Sequence, residues 1–358
     1  MTHSLAVTES DTPPRRRTRP RVTVGVLLVA SVVVIVLSVA IGSVTISPDR
    51  VMSVIAAHVW PWPVDETAST VQDRIVWEFR LPRALLGFVV GAALAVAGAV
   101  LQAVVRNPLA DPFVFGVSSG ASVAAVATLT IAGGAFTAVS VPVAAFIGAL
   151  ATTLAVFALA QRRGRVTPER LVLAGVAMSF FLSSVTSYLV LRASGPGQGV
   201  TQVLSWLSGS LAAAEWGDLG LPALILVVVV AGLVLIAPVL NAFLMGDETA
   251  ASLGVDVARM RLVMFVVTSL LVGVVVAVSG AIGFVGLVVP HAARMVVGSD
   301  HRWVLPVSAL AGGLLLVVVD LLARIILAPS EVPVGLLTAV IGAPFFLFLL
   351  RRSGREER

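Results

Sequence analysis

Two polar, proline-containing segments at the ends of one apolar run hold the residues best suited to docking and gating. The first is Arg80-Leu-Pro-Arg83 and the second is Arg106-Asn-Pro-Leu-Ala-Asp-Pro112, with the apolar run 84–105 between them. Paired guanidinium groups can bind carboxylates of another protein, and a turn that contains Asn and two prolines is rigid. An inert anchor needs neither feature, so the pattern indicates a protein with docking and gating points.

Groups for covalent or metal chemistry are scarce. The chain has no cysteine, and its four histidines lie far apart in the sequence. Without cysteine there is no disulfide framework, no thiol nucleophile and no thiolate metal site. His291, in Pro290-His-Ala-Ala-Arg294, stands alone and is interpreted as structural. We therefore predict no catalytic residue, no protein-bound metal and no cofactor on this chain.

The composition is that of a membrane protein. Hydrophobic residues make up 58% of the 358 residues and charged residues only 12%, whereas soluble domains carry roughly 25% charge. The net charge of +5 comes from arginines in short connecting segments, not from one basic face, so nucleic-acid binding is not predicted.

Apolar runs predict an all-α fold with about ten transmembrane helices, since a helix needs ~20 residues to cross the hydrocarbon. The predicted spans are 22–48, 84–105, two within 112–161 with a break near 132–135, 171–191, 219–246, two within 262–293 with a break near 279–280, 303–324 and 332–350. Prolines in or near several of them break or kink helices, which is typical of transporters.

The arginines predict the orientation. With the N-terminus inside, the inner segments hold 18 of the 24 arginines, as the positive-inside rule requires. We predict a multi-pass protein of the cell membrane with both termini in the cytoplasm. Residues 1–21 form a cytoplasmic basic tail, residues 22–351 form one transmembrane domain, and residues 352–358 form a cytoplasmic C-terminal tail.

The inner segment 246–261 carries signals for two short amphipathic helices. Asp247 and Glu248 suit a helix start, Gly254 suits a break, and Asp256 suits the cap of a second short helix. Such helices on the cytoplasmic face would offer a surface to a soluble partner. An ordinary connecting loop is the alternative.

Seven motifs, taken in order from about residue 25 to 351, resemble the FecCD/BtuC family, the membrane permeases of ATP-binding-cassette (ABC) importers for ferric siderophores, haem and cobalamin. The motifs are Arg80-Leu-Pro-Arg83, Gly-Ala-Ala-Leu-Ala-Val-Ala-Gly98, Asn107-Pro-Leu-Ala-Asp-Pro112, Gly116-Val-Ser-Ser-Gly120, Leu173-Ala-Gly-Val-Ala177, Gly283-Phe-Val-Gly-Leu-Val-Val-Pro-His-Ala-Ala-Arg294 and Gly342-Ala-Pro344. Each motif alone is weak, and their common order makes the resemblance specific.

The resemblance implies the BtuC-like permease fold and several partners: a second permease subunit in a homodimer or heterodimer, two cytoplasmic ABC ATPases, an extracytoplasmic substrate-binding protein and membrane lipid. No Walker motif occurs in the chain, so the ATPase chain would use the ATP. The segment of about 246–261 would form the coupling helices that enter the ATPase. The matching coupling residues are Asp247, Glu248, Ala251, Leu253, Gly254 and Val255.

The resemblance also implies docking and gate residues. Arg80, Arg83 and Arg324 would dock the binding protein, while Asn107, Leu109 and Thr167 would form the cytoplasmic gate. For Arg80 the alternative is snorkelling towards lipid headgroups, and for Arg324 it is an ion pair with Asp320 one helical turn away. The hydroxyl groups of the fifth span would line a hydrated substrate pathway. The alternative is that they donate hydrogen bonds to carbonyl oxygens of their own helix.

Two other classes of membrane protein fit less well. An ion-driven secondary transporter needs intramembrane carboxylates, and the spans are nearly free of them. A membrane-embedded enzyme needs paired acids, a histidine cluster or a nucleophile with its base, and none is visible. The resemblance, with these two classes set aside, therefore implies a permease that moves ferric siderophore by alternating access at a dimer interface, with cobalamin or haem as the alternative cargo.

Overall fold

Long apolar runs form the helices of this protein. Its computed structural model describes residues 19–42, 44–60, 70–113, 115–131, 137–162, 165–192 and 200–356. The first half contains α1 (Pro20–Ala40), α2 (Pro48–Val59), α3 (Thr70–Arg74), a π-helical turn (Ile75–Arg80), α4 (Leu81–Val105), α5 (Val117–Ile131), α6 (Thr137–Ala160), the two-residue strands β1 (Gln161–Arg162) and β2 (Arg165–Val166), and α7 (Pro168–Arg192).

The second half continues with helices of very different lengths. These are α8 (Val200–Leu207), α9 (Trp216–Leu235), α10 (Ala237–Leu244), α11 (Asp247–Ser252), α12 (Val257–Ser279), α13 (Val285–Val297), α14 (His301–Ile325) and α15 (Val334–Glu356). The short helices α10 and α11 stand between two long apolar helices, and α11 lies in the predicted coupling segment.

The predicted membrane spans are confirmed as helices. Within the described part of the chain, seven helices are long and apolar enough to cross a membrane. Three shorter apolar helices lie at 117–130, 285–297 and 334–347, where the sequence predicts the remaining spans. The predicted break at 279–280 is confirmed, because α12 ends at Ser279 and Gly280 has a φ of +67°.

Helix α4 lies at the centre of the bundle, with nearly every residue buried, and it packs against α12, α13 and α14. Two glycines make this packing close. Gly91 contacts the backbone of Gly312 in α14, and Gly98 contacts the backbone of Gly286 in α13, so a Cβ at either position would clash. Small residues allow helix backbones to approach in this way. The middle of α4 is thereby in close backbone contact with α13 and α14.

The structure corrects two sequence predictions. The predicted span 219–246 is two helices, because α9 ends at Leu235 and α10 begins at Ala237, followed by Pro238, whose nitrogen donates no hydrogen bond. The predicted second short helix after Gly254 is the first turn of α12. Asp256 caps α12 as expected, accepting a hydrogen bond from the Arg259 amide at 3.0 Å. The predicted break at 132–135 and most of the tail 1–21 lie outside the described residues.

Candidate functional site

Three arginines and two acids form one charged group at the N-terminal end of α4. This group is named here the arginine cluster and consists of Arg80, Arg83, Arg324, Asp320 and Glu331. Arg83 lies between two carboxylates, with its Nη2 2.9 Å from Asp320 Oδ1 and 2.9 Å from Glu331 Oε2. Its Nε donates a further bond of 2.9 Å to Asp320 Oδ1. Asp320 is only 1% exposed and Glu331 is 42% exposed. The group therefore has a buried half and an open half.

Arg80 and Arg324 are held by the end of α1. Arg80 donates to the carbonyl oxygens of Val39 at 2.8 Å and Val44 at 2.7 Å, which suits a cation at a helix C-terminus. Arg324 donates to Ser38 Oγ at 2.6 Å. Its Nε lies 3.2 Å from Asp320 Oδ2, so the predicted ion pair one turn away is present. Arg80 is bonded to protein carbonyls and does not adopt the alternative, a snorkelling side chain.

The structure thus brings all three predicted docking arginines together and also supplies them with internal partners. Their charges exceed those of the two acids by one, so the arginine cluster carries a formal charge of +1. Only the Arg83–Glu331 contact is open enough for an outside carboxylate to compete with. Docking at these residues stays a prediction, and it would require exchange at Glu331.

The other end of α4 carries the predicted gate turn. Arg106 ends the helix in the left-handed region, with a φ of +53°, which turns the chain sharply. The Asn107 side chain then accepts a hydrogen bond from the Leu109 amide at 2.9 Å, the local closure that favours Asn in turns. Leu109 is 42% exposed. An apolar side chain is therefore held out from a rigid turn, as a gate requires.

Asp111 closes the same turn from inside. Its Oδ1 accepts a hydrogen bond from the Phe113 amide at 2.8 Å, and its side chain is buried. Burial raises the pKa of the Asp111 carboxyl to about 6, and the Phe113 hydrogen bond offsets only part of that effect. The turn therefore contains a carboxyl group that titrates near neutral pH.

Thr167, the other predicted gate residue, lies beside the coupling segment. It is exposed and begins α7, where its carbonyl oxygen accepts a bond of 3.1 Å from the Leu171 amide. It lines a cavity of about 470 Å³ together with Asp247, Glu248 and Ala251. The structure therefore places this predicted gate position against α11.

The coupling segment is a short helix followed by a tight reversal. Gly246 and Gly254 have φ values of +109° and +84°, a region that favours glycine, and they bound α11. The Val255 amide bonds back to the Ala250 carbonyl at 3.1 Å, which ends the helix. Leu253 is 65% exposed at its tip. Leu253 is thus an exposed apolar side chain at the tip of the predicted coupling segment.

Sequence reasoning missed the side chains that hold these segments together. Arg261 bonds to Asp247 at 3.0 Å and to the Val166 carbonyl at 2.7 Å. Gln102 bonds to the Gly286 carbonyl at 3.1 Å and also accepts from Arg294. An arginine next to an apolar run could have been a signal of such contacts, because a charge that becomes buried needs a partner.

Two hydroxyls of α7 bond back to their own helix, as in the alternative given for them. Ser184 and Thr186 donate to carbonyl oxygens four residues earlier, at 2.9 and 3.0 Å. Ser179 Oγ instead lies 3.5 Å from the Phe113 carbonyl, next to the gate turn.

Among the described residues, no group of three His, Cys, Asp or Glu side chains could hold a metal ion.

A bundle of long apolar helices with breaks is typical of polytopic transport proteins. The chain belongs to the FecCD transport family, whose model matches residues 28–352. It is 45% identical over 311 residues to the cobalamin import system permease protein BtuC of Halobacterium salinarum, covering 83% of this chain and 81% of that protein. It is 40% identical over 352 residues to the hemin transport system permease protein HmuU of Yersinia pestis, covering 96% and 98%.

The fold of a solved transporter agrees with this family. An inward-facing metal-chelate type ABC transporter superposes with a TM-score of 0.80 at 29% identity, covering 93% of this chain and 100% of that one. The chain is therefore a permease subunit of an ABC importer, confirming the predicted fold class and transport role. The relatives carry different cargoes by name, so the family alone leaves the cargo open.

Proposed function

We propose that this permease translocates a ferric siderophore across the cell membrane by alternating access at the interface of two permease subunits. The observation that carries the proposal is the similarity along nearly the whole chain to a transporter of the metal-chelate type. This similarity supports a metal chelate as the cargo, and a ferric siderophore is one such chelate, as are cobalamin and hemin. The exposed Leu253 at the α11 reversal adds a surface that an ATPase could cover. No ion relay would be needed, because ATP hydrolysis by a separate chain supplies the energy.

The orientation follows from the arginines. With both termini in the cytoplasm, the gate turn and α11 face the cytoplasm, and the arginine cluster faces outwards. Acidic side chains of a substrate-binding protein would then compete with Glu331 for Arg83, which is the open contact of the cluster. Rim charges of this kind mainly set the association rate and the orientation of docking.

Cobalamin is the second candidate cargo, and the observation that favours it is the 45% identity to a cobalamin permease. Haem is favoured by the 40% identity to a hemin permease over nearly the full length. All three cargoes are bulky. Each would pass along a pathway lined by small apolar side chains without binding strongly to those side chains.

The test is uptake of labelled ferric siderophore, cobalamin and hemin by iron-limited cells with and without the gene. We expect siderophore uptake alone to fall on deletion and to return with the wild-type gene. A variant deleted for 247–252, which removes α11, should not restore it. Loss of cobalamin or hemin uptake instead would replace the proposed cargo, and unchanged uptake of all three would contradict the proposal.

A further inference from the structure

One buried guanidinium connects three elements at the Arg106 end of the bundle. Arg261, in the second turn of α12, is 3% exposed. Its Nη1 donates to the Val166 carbonyl at 2.7 Å, and its Nη2 donates to both carboxylate oxygens of Asp247 at 3.0 Å. The ring of Phe243 in α10 lies 5.8 Å from the guanidinium carbon. Arg261 therefore holds β2, α10 and α11 against the base of α12.

The Asp247 carboxylate makes a second contact, to the gate turn. Arg106 Nη2 lies 3.4 Å from Asp247 Oδ1. Arg106 directly precedes Asn107, and Val166 directly precedes Thr167. The first residue of α11 is thus connected through one side chain to the Asn107–Leu109 segment and through another to the Thr167 segment.

The two connections differ in strength. Arg261 is buried and binds both carboxylate oxygens of Asp247 through its planar fork. Breaking this contact would leave a buried guanidinium without its carboxylate, which is costly. Arg106 is 40% exposed and Asp247 is 36% exposed, and the contact between them is longer. Ion pairs in water contribute little and exchange readily. One link is therefore built to persist during a movement of α11, and the other is built to break and re-form.

We propose that Asp247, Arg261 and Arg106 form the link that transmits movement of α11 to the two gate segments. The Thr167 segment follows α11 through Arg261, while the Asn107–Leu109 segment is held or released at Arg106. The inference rests on the proposed coupling function of α11 and adds the positioning residues through which coupling passes. Two gates joined to one helix by a firm and a releasable contact can open at different moments of a cycle.

The experiment measures coupling in proteoliposomes that hold the full complex of permease, ATPase and binding protein. The readout is the number of ATP molecules hydrolysed per labelled substrate molecule accumulated. Arg106→Gln removes the charge and shortens the side chain but keeps a polar group at a half-exposed position, so we expect folding and assembly to be retained. We expect hydrolysis to continue and the ATP used per substrate to rise about tenfold, within the usual range of coupling between sites.

Arg302→Gln is the matched control. Arg302 is an exposed arginine at the start of α14, at the same end of the bundle, since Asp300 there accepts a bond from Asn241 of α10. The Arg302→Gln complex should hydrolyse as many ATP molecules per accumulated substrate molecule as the wild-type complex does. Arg261→Lys tests the firm link, because it keeps the charge and loses the fork, and it should uncouple more severely than Arg106→Gln.

The outcomes distinguish a failure of the proposed link from a failure of the proposed function. A wild-type complex that accumulates substrate, with Arg106→Gln no different from Arg302→Gln, would overturn the link and leave the proposed function intact. A wild-type complex that does not accumulate substrate, or an ATPase that still binds after deletion of 247–252, would overturn the proposed function itself. If Arg261→Lys does not assemble, the comparison of Arg106→Gln with its control decides alone.

Discussion

Replacement of Asp320 by asparagine should destabilise the permease strongly, because it removes the only buried acid of the arginine cluster. Asp320 is 1% exposed, its Oδ1 lies 2.9 Å from Arg83 Nη2, and its Oδ2 lies 3.2 Å from Arg324 Nε. Asn has nearly the same shape, so packing is kept and only the charge is lost. Two guanidinium groups, each about nine-tenths buried, would then face each other without that carboxylate.

The expected magnitude follows from the burial. Breaking a buried ion pair by removing one partner costs about 3–5 kcal/mol. Arg83 keeps its 2.9 Å contact to Glu331, which places the expected loss near the lower value. At about 2 °C per kcal/mol for a chain of this size, the melting temperature should fall by at least about 6 °C.

Glu331→Gln is the matched control, since it removes the other acid from the same arginine. Glu331 is 42% exposed, and exposed pairs contribute about 0–1 kcal/mol. The assay heats each purified variant in detergent and measures the fraction that remains monodisperse. Equal shifts for Asp320→Asn and Glu331→Gln would refute the reasoning. Adding Arg324→Gln to Asp320→Asn should recover part of the loss, because one of the two unpaired charges is then absent.

Three further predictions concern the gate turn and the core. Burial raises the pKa of Asp111 from 3.8 to about 6, so its contribution to stability is present below pH 4 and is lost as the pH rises through 6. Asp111→Asn should therefore have the same melting temperature as the wild type at pH 4 and a higher one at pH 7.5, where it is more stable by about 2–3 kcal/mol. A difference in melting temperature that is the same at both pH values would contradict this. Gly91→Val should prevent stable folding because its Cβ would clash with Gly312, whereas Gly25→Ala, with open space around it, should melt like the wild type. Leu109→Ala should increase ATP-independent leakage of substrate from loaded proteoliposomes, and wild-type tightness would contradict the gate.

Local chemistry in the sequence predicted much of the helical framework. The break after Ser279, the start of α11 at Asp247, the reversal at Gly254 and the cap at Asp256 all depend on residues within one turn of each other. Such signals are readable because capping and left-handed backbone favour few residue types. The separation of α9 from α10 was missed, although Pro238 lies two residues after Ile236 and marks the start of a new helix.

Partners distant in the sequence could not be predicted in the same way. Arg83 and Asp320 are 237 residues apart, and Arg261 and Val166 are 95 residues apart. No periodicity within one helix indicates which carbonyl or carboxylate an arginine will meet in another. One signal was available: Asp320 lies in an apolar helix, and an acid in such a place needs a cationic partner.

The central claim is that this permease imports its cargo with energy from a separate ATPase through α11. The most direct measurement is accumulation of labelled ferric siderophore in proteoliposomes that contain the permease, its ATPase and the binding protein, with ATP on the ATPase side. The account predicts accumulation that requires ATP, survives the collapse of proton and sodium gradients, and is absent when residues 247–252 are deleted. Accumulation driven by an ion gradient without ATP would contradict it.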